Sequence, residues 1–208
     1  MIRVLLADDH TLVREGLKQL LAATADIEVA GEAATGDEAL AQVKANDFDL
    51  AVLDLSMPGL AGIDLIKRLR IEKPDLRILV LSMHGEQQYA ARALKAGASG
   101  YLTKDSAAEQ LVAAVRKVAA GGVQISETTA AQLVGAAQGG DAPPHTRLSD
   151  REFEVFRMLV AGKGLSEIAA KLHVSVKTVS THKTRLLQKM ELDNTVELVR
   201  YAVEKKLL

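Results

Sequence analysis

Five short apolar runs, each followed by a helical pattern, fill the first 120 residues, and strict alternation of this kind admits few folds. The runs lie at 2–7, 27–30, 50–55, 78–81 and 100–102 and lack a helical period. Continuous apolar runs suit parallel strands covered on both faces. The helical patterns fall at about 11–23, 36–45, 62–72, 86–96 and 106–120; in the first, Leu12, Val13, Gly16, Leu17, Leu20 and Leu21 share one face. Five strand–helix pairs predict an α/β doubly wound five-stranded parallel sheet. Ligands on such sheets sit beyond the carboxyl ends of the strands.

The alternation stops at a break. From Gly135 to Arg147 the chain is rich in Gly and Pro, lacks apolar periodicity and holds the one Pro-Pro pair. Such a stretch sustains no long helix and reads as a linker. Beyond it every pattern is helical, at about 149–161, 165–172, 176–190 and 194–206. Ser149 and Asp150, with Glu152 behind them, supply a helix start. The predicted division is therefore 1–122 for the α/β domain, 123–147 for a connecting helix and linker, and 148–208 for a small all-α domain.

Charge divides the chain at the same place. Residues 1–144 carry 14 Lys and Arg against 19 Asp and Glu, a net of −5, while residues 145–208 carry 12 against 8, a net of +4. A basic back half suggests a polyanionic partner. The absence of cysteine removes disulfides, thiolate zinc sites, iron–sulfur clusters and thiol nucleophiles. No run approaches the ~20 apolar residues of a membrane span. The opening run meets Asp8 and Asp9 before it could serve as a signal peptide, so a cytoplasmic protein without membrane association is expected.

Chemistry gathers at the predicted strand ends. Asp8 and Asp9 close the first strand and Asp54 the third, and neighbouring strands would bring these carboxylates together. Like charges so close need a cation, and hard oxygen ligands favour Mg²⁺. Ser82 follows the fourth strand, and Lys104 follows the fifth after Tyr101. An acidic metal site, a hydroxyl, a lysine and one carboxylate set apart suggest phosphoryl transfer onto Asp54, with Lys104 neutralising phosphoryl oxygens. Taken singly, an Asp pair is a solvated turn and Lys104 an exposed lysine; their joint placement at four strand ends argues otherwise. His10, at the start of the first helix, reads as a cap or edge contact rather than a catalyst.

The segments Val4-Leu-Leu-Ala-Asp-Asp-His10, Leu53-Asp-Leu-Ser-Met-Pro-Gly59, Leu79-Val-Leu-Ser82 and Gly97-Ala-Ser-Gly-Tyr-Leu-Thr-Lys104 resemble the flavodoxin-like receiver domains of bacterial response regulators, over residues 1–122. The resemblance implies that Asp54 is the phosphoacceptor. It implies that Asp9, Asp54 and the Ser56 backbone carbonyl hold Mg²⁺, with Asp8 acting largely through water. Lys104 would pair with the phosphoryl group. Ser82 and Tyr101 would form a switch pair in which the hydroxyl moves to the phosphate and the ring turns inward.

In the basic half, the pattern at 176–190 places Val179, Leu186 and Met190 on one face, with Lys177, Thr181, Thr184 and Gln188 opposite. Lys183, Arg185 and Lys189 flank it, and no acid interrupts the run. Periodicity alone also describes a surface helix with a solvated basic face. Joined by a short turn to the preceding helix, it has helix-turn-helix geometry suited to a major groove. Leu148-Ser-Asp-Arg-Glu152, Gly164-Leu-Ser-Glu-Ile-Ala-Ala170 and Val174-Ser-Val-Lys-Thr-Val-Ser-Thr-His182 resemble the LuxR-type DNA-binding domain. The whole chain is thus similar to NarL/FixJ-type response regulators. By that resemblance Ser180, Thr181 and Thr184 face base edges, and Lys177, His182, Lys183 and Arg185 meet phosphates.

The implied protein is a transcription regulator rather than an enzyme, beyond its own Mg²⁺-dependent phosphorylation and dephosphorylation. Its partners would be a sensor histidine kinase, double-stranded DNA with an inverted-repeat operator, and a second copy paired with the help of the last helix, where half of the stripe Val196, Val199, Ala202 and Val203 could instead serve the domain's own core. An aspartyl-phosphate phosphatase would want a second carboxylate where Ser56 stands. A pocket for acylated signals would want aromatic lining, yet aromatics make up 3% of the chain. A regulator that works independently of phosphorylation stays open as the alternative.

Overall fold

The computed structural model describes residues 1–60, 62–82, 87–127, 129–131, 143–205 and 207, with side chains at all of these but 87, 88 and 106–108. Of the predicted Gly/Pro-rich break at 135–147, residues 135–142 lie outside the described residues. The chain forms two compact units, Met1–Val134 and Gly135–Leu208.

In the first unit β1 (Ile2–Ala7), β2 (Ile27–Ala33), β3 (Leu50–Asp54), β4 (Arg77–Ser82) and β5 (Gly100–Thr103) alternate with α1 (Thr11–Ala22), α2 (Gly36–Ala45), α3 (Gly62–Glu72), α4 (Gln87–Lys95) and α5 (Lys104–Ala119). The strands are parallel in the order β2-β1-β3-β4-β5, as the doubly wound expectation requires. Alternation of side chains divides the core. Val4, Leu6, Leu50, Val52, Leu79, Leu81 and Leu102 pack with Leu17 and Leu21 of α1 and Leu111, Val115 and Val118 of α5. The intervening Leu5, Leu53, Ile78 and Val80 are equally buried and point to the opposite face.

β2 runs three residues beyond the expected 27–30, through Gly31, Glu32 and Ala33. Glycine and glutamate are poor strand formers, which hides this extension from pattern reading. The strand lies at the sheet edge, its register shifts between Val4 and Leu5, and a Cβ at Gly31 would lie 2.8 Å from the Phe48 ring.

The second unit begins earlier than expected. Pro144–Arg147, read as linker, forms a 3₁₀ turn whose first position is proline, and His145 within it is buried with Nδ1 2.5 Å from the Tyr201 hydroxyl. Four helices follow: α6 (Asp150–Val160), α7 (Leu165–Lys171), α8 (Val176–Met190) and α9 (Thr195–Glu204). His173, at φ 52°, turns the chain between α7 and α8, and Glu191, at φ 57°, ends α8. The core is Leu148, Phe153, Val155, Phe156, Ile168, Val179, Leu186, Met190, Leu198 and Ala202.

Ser149 starts α6 with a full capping box: its Oγ accepts from the Glu152 amide, and the Glu152 carboxylate accepts from the Ser149 amide at 2.8 Å. Replacing Ser149 by Ala should cost about 1 kcal/mol, seen as a lower unfolding midpoint of the second unit alone. An unchanged midpoint would show that the cap adds nothing to that unit.

Candidate functional site

Sheet register assembles the acidic cluster. Ala7 lies opposite Leu53, so Asp8 and Asp9 leave β1 where Asp54 ends β3; Asp54 lies opposite Leu81, and Ser82 opposite Thr103. Four strand ends thereby bring Asp8, Asp9, Asp54, Ser82 and Lys104 to one edge of the sheet.

Lys104 is the hub. Its side chain is 6% exposed, and its ammonium donates to Asp54 Oδ2 at 2.7 Å. It also lies 2.6 Å from Asp8 Oδ2, outside hydrogen-bonding geometry, so that buried oxygen is held by charge alone. Burial disfavours the ammonium, but its pairing with Asp54 and Asp8 outweighs that and holds the Lys104 pKa above its ordinary value. The other Asp54 oxygen, Oδ1, accepts from the Ser56 amide at 3.0 Å.

Asp8 and Asp54 are 1% and 2% exposed, and carboxylates buried this deeply need cationic company. Ligand atoms of Asp8, Asp9, His10 and Asp54 all lie within 4.8 Å of one another. The three carboxylates of this set offer hard oxygens, one lacking a hydrogen-bond donor, and fit a small divalent cation. His10 does not cap α1 with its side chain; its Nδ1 lies 2.9 Å from Asp9 Oδ1 at the edge of the cluster. Ser82 is buried, and the Tyr101 ring is already inward, 7% exposed.

Sequence patterns missed a second layer behind this cluster. Arg14 on α1 donates through Nη1 to the Asp8 carbonyl at 2.6 Å and through Nε to Glu32 Oε2 at 3.2 Å. Glu32 also pairs with Lys18. The two Glu32 contacts join residues 18 and 14 positions apart on different elements, so no local pattern signals them.

In the second unit α8 is built as its periodicity predicts. Val179, Leu186 and Met190 are buried, whereas Lys177, Ser180, Thr181, Thr184 and Arg185 are exposed and Lys183 is half-buried. Thr181 and Thr184 donate their hydroxyls to the Lys177 and Ser180 carbonyls at 3.0 and 3.1 Å, leaving acceptor lone pairs outward.

Two further side chains of α8 have surroundings that periodicity does not report. His182 is partly buried with Nδ1 enclosed and unpartnered, and burial followed by the Arg151 charge lowers its pKa. Lys189 turns back to pair with the buried Glu152 carboxylate at 2.6 Å. Burial raises the Glu152 pKa, but Lys189 and Ser149 outweigh that and hold it below its ordinary value.

A parallel sheet with an acidic pocket and lysine at its carboxyl edge, followed by a helix-turn-helix unit, is the arrangement of a receiver joined to a DNA-binding unit. The response regulator receiver domain pattern matches residues 4–116, and that of the bacterial regulatory proteins of the luxR family matches residues 146–202. The chain belongs to the response regulators that join a receiver domain to a LuxR-type DNA-binding domain, and it is a DNA-binding transcription regulator. It is similar to the oxygen regulatory protein NreC of Staphylococcus carnosus, 40% identical over 215 residues covering 100% of this chain and 99% of NreC. It is also similar to the response regulator UvrY of Escherichia coli K12, 34% identical over 205 residues covering 98% and 94% of the two chains. Among solved structures it resembles RcsB of Salmonella enterica serovar Typhimurium, bound to a promoter in the presence of the phosphomimetic BeF3⁻. There the TM-score is 0.72 at 30% identity, over 96% of this chain and 97% of that one. Among the described residues no helix is long and apolar enough to cross a membrane.

Proposed function

We propose that Asp54 takes a phosphoryl group from the phosphohistidine of a sensor histidine kinase, and that this switches operator binding by the second unit. The observation that carries the reading is Lys104, buried between Asp54 and Asp8 at 2.7 and 2.6 Å. A carboxylate oxygen of Asp54 forms the new P–O bond as the histidine N–P bond breaks and the imidazole leaves. Lys104 then transfers its contact from the carboxylate to the incoming phosphoryl oxygens, a compact charge suited to that task. Asp8, Asp9, Asp54 and the Ser56 carbonyl would hold Mg²⁺, whose charge would offset that of the phosphoryl group. Ser82 and Tyr101, on adjacent strands beside the pocket, serve as the switch pair.

In this assignment residues 1–122 are the phosphoacceptor domain, 123–147 the connection and 148–208 the DNA-binding domain, with the turn at Pro144–Arg147 docked in the latter. Ser180, Thr181 and Thr184 present acceptors to base amino groups, while Lys177, Lys183 and Arg185 contact phosphates. His182 stands with these phosphate contacts. Exposed Val196 and Val203 on α9 supply the pairing face of a DNA-bound homodimer. The protein works on DNA in the cytoplasm, and its one covalent reaction is on its own Asp54.

Intact mass tests the reading. Full-length protein incubated with acetyl phosphate should gain one phosphoryl group with Mg²⁺ and none when Mg²⁺ is chelated. The phosphorylated form should then bind operator DNA more tightly. Equal DNA binding by both forms would instead support the phosphorylation-independent regulator.

A further inference from the structure

The loop from Asp8 to His10 follows β1 and precedes α1, so no sheet ladder or helix fixes it. It is nevertheless held at three points. The Asp8 amide donates to the Ala33 carbonyl at 3.1 Å, Asp8 Oδ1 accepts from the His10 amide at 2.8 Å, and the Asp8 carbonyl accepts from Arg14 at 2.6 Å. Arg14 is itself braced by Glu32, which adjoins Ala33 on β2. One strand end therefore clamps Asp8 from both sides, by main chain at its amide and through Arg14 at its carbonyl.

We infer that Arg14, braced by Glu32, is a positioning residue that sets the Asp8–Asp9 peptide in the orientation needed to bind a divalent cation. The inference rests on the receiver reading of the pocket. The Asp8 carbonyl belongs to the peptide that leads into Asp9, so fixing that oxygen fixes where the Asp9 carboxylate starts. Arg14 is 15% exposed on its side chain, well sheltered for a guanidinium beside a cluster of acids. Its rigid fork spans two acceptors on different elements, which a single ammonium does not reproduce.

Glu32 explains itself the same way. A glutamate in a strand is unfavourable unless something occupies it, and here Arg14 and Lys18 both do. The Lys18 hydrogen bond, then that of Arg14, outweighs burial and keeps the Glu32 carboxyl below its ordinary range. Because Glu32 offsets the Arg14 charge, the pair adds geometry to the pocket more than net potential.

The test is direct Mg²⁺ titration of the full-length protein by calorimetry, paired with acetyl phosphate labelling at saturating Mg²⁺. Arg14→Gln should weaken Mg²⁺ binding about tenfold, the usual scale for losing an outer-shell partner of a metal site. Its labelling rate at saturating Mg²⁺ should stay close to wild type. Glu32→Gln should shift Mg²⁺ affinity the same way, and the double variant should lose less than the two single losses combined. Arg14→Lys, which restores charge without the fork, should remain impaired. Unchanged Mg²⁺ affinity in folded Arg14→Gln or Glu32→Gln protein would overturn the inference. So would full rescue by Arg14→Lys, or a lost labelling rate with Mg²⁺ affinity intact. Should Arg14→Gln fail to fold, Glu32→Gln and Arg14→Lys decide. Wild-type protein that binds no Mg²⁺ would refute the receiver reading itself, an outcome distinct from these.

Discussion

Asp54→Asn protein should take up no phosphoryl group under conditions that label the wild type fully. The substitution is nearly isosteric: the side-chain carbonyl can still accept from the Ser56 amide, as Oδ1 does at 3.0 Å. An amide nitrogen has no lone pair available for attack on phosphorus, so the chemistry fails while the fold survives. Removing one of three crowded carboxylates also relieves repulsion, and the variant should melt no lower than wild type. Lys104→Ala differs in kind. It leaves the nucleophile but strips the cation from between Asp54 and Asp8, and labelling should slow by about 10²-fold, the scale for deleting one electrostatic stabiliser. Phosphoryl uptake by Asp54→Asn equal to wild type would place the acceptor elsewhere.

Parallel strands explain why this pocket was legible. Each strand-end residue (Asp8, Asp9, Asp54, Ser82) follows an apolar run that sterics and burial commit to the sheet, and parallel order sends all these ends to one edge. Lys104 opens α5 at that edge for the same reason. The inward face of α8 was legible because helical period alone decides it. What periodicity cannot report is which element lies opposite. Lys189 reads as a flanking charge until α6 places Glu152 beside it. Arg14 carries no signal until β2 extends past its expected end to bring up Glu32. His145 reads as linker until Tyr201, far along the sequence, supplies a partner. Each miss is a polar side chain satisfied by a distant element, a contact with no sequence period.

Phe156→Ala should unfold the second unit at physiological temperature and abolish DNA binding, while phosphoryl uptake continues. Phe156 is fully buried and stacks on Phe153, with centroids 5.7 Å apart and an interplanar angle of 24°. These are two of the three phenylalanines in the chain, and both serve this small unit. Truncating a buried Phe costs about 3–5 kcal/mol through lost burial and the cavity left behind. A core of this size supplies only about 3–5 kcal/mol in total, so the loss matches the whole margin. α6, which carries Phe156, packs against α8, so α8 loses its support first. The first unit keeps its own core of Val4, Leu6, Val52, Leu79 and Val115, which the substitution does not touch. Thermal melts should show the wild-type transition of the first unit intact and the other lost, with acetyl phosphate labelling unchanged. Phe156→Leu, which refills most of the cavity, should retain a folded second unit at a lower midpoint. If Phe156→Ala protein bound DNA with wild-type affinity, α8 would owe its placement to its own caps at Ser175 and Glu191 rather than to the core beneath it.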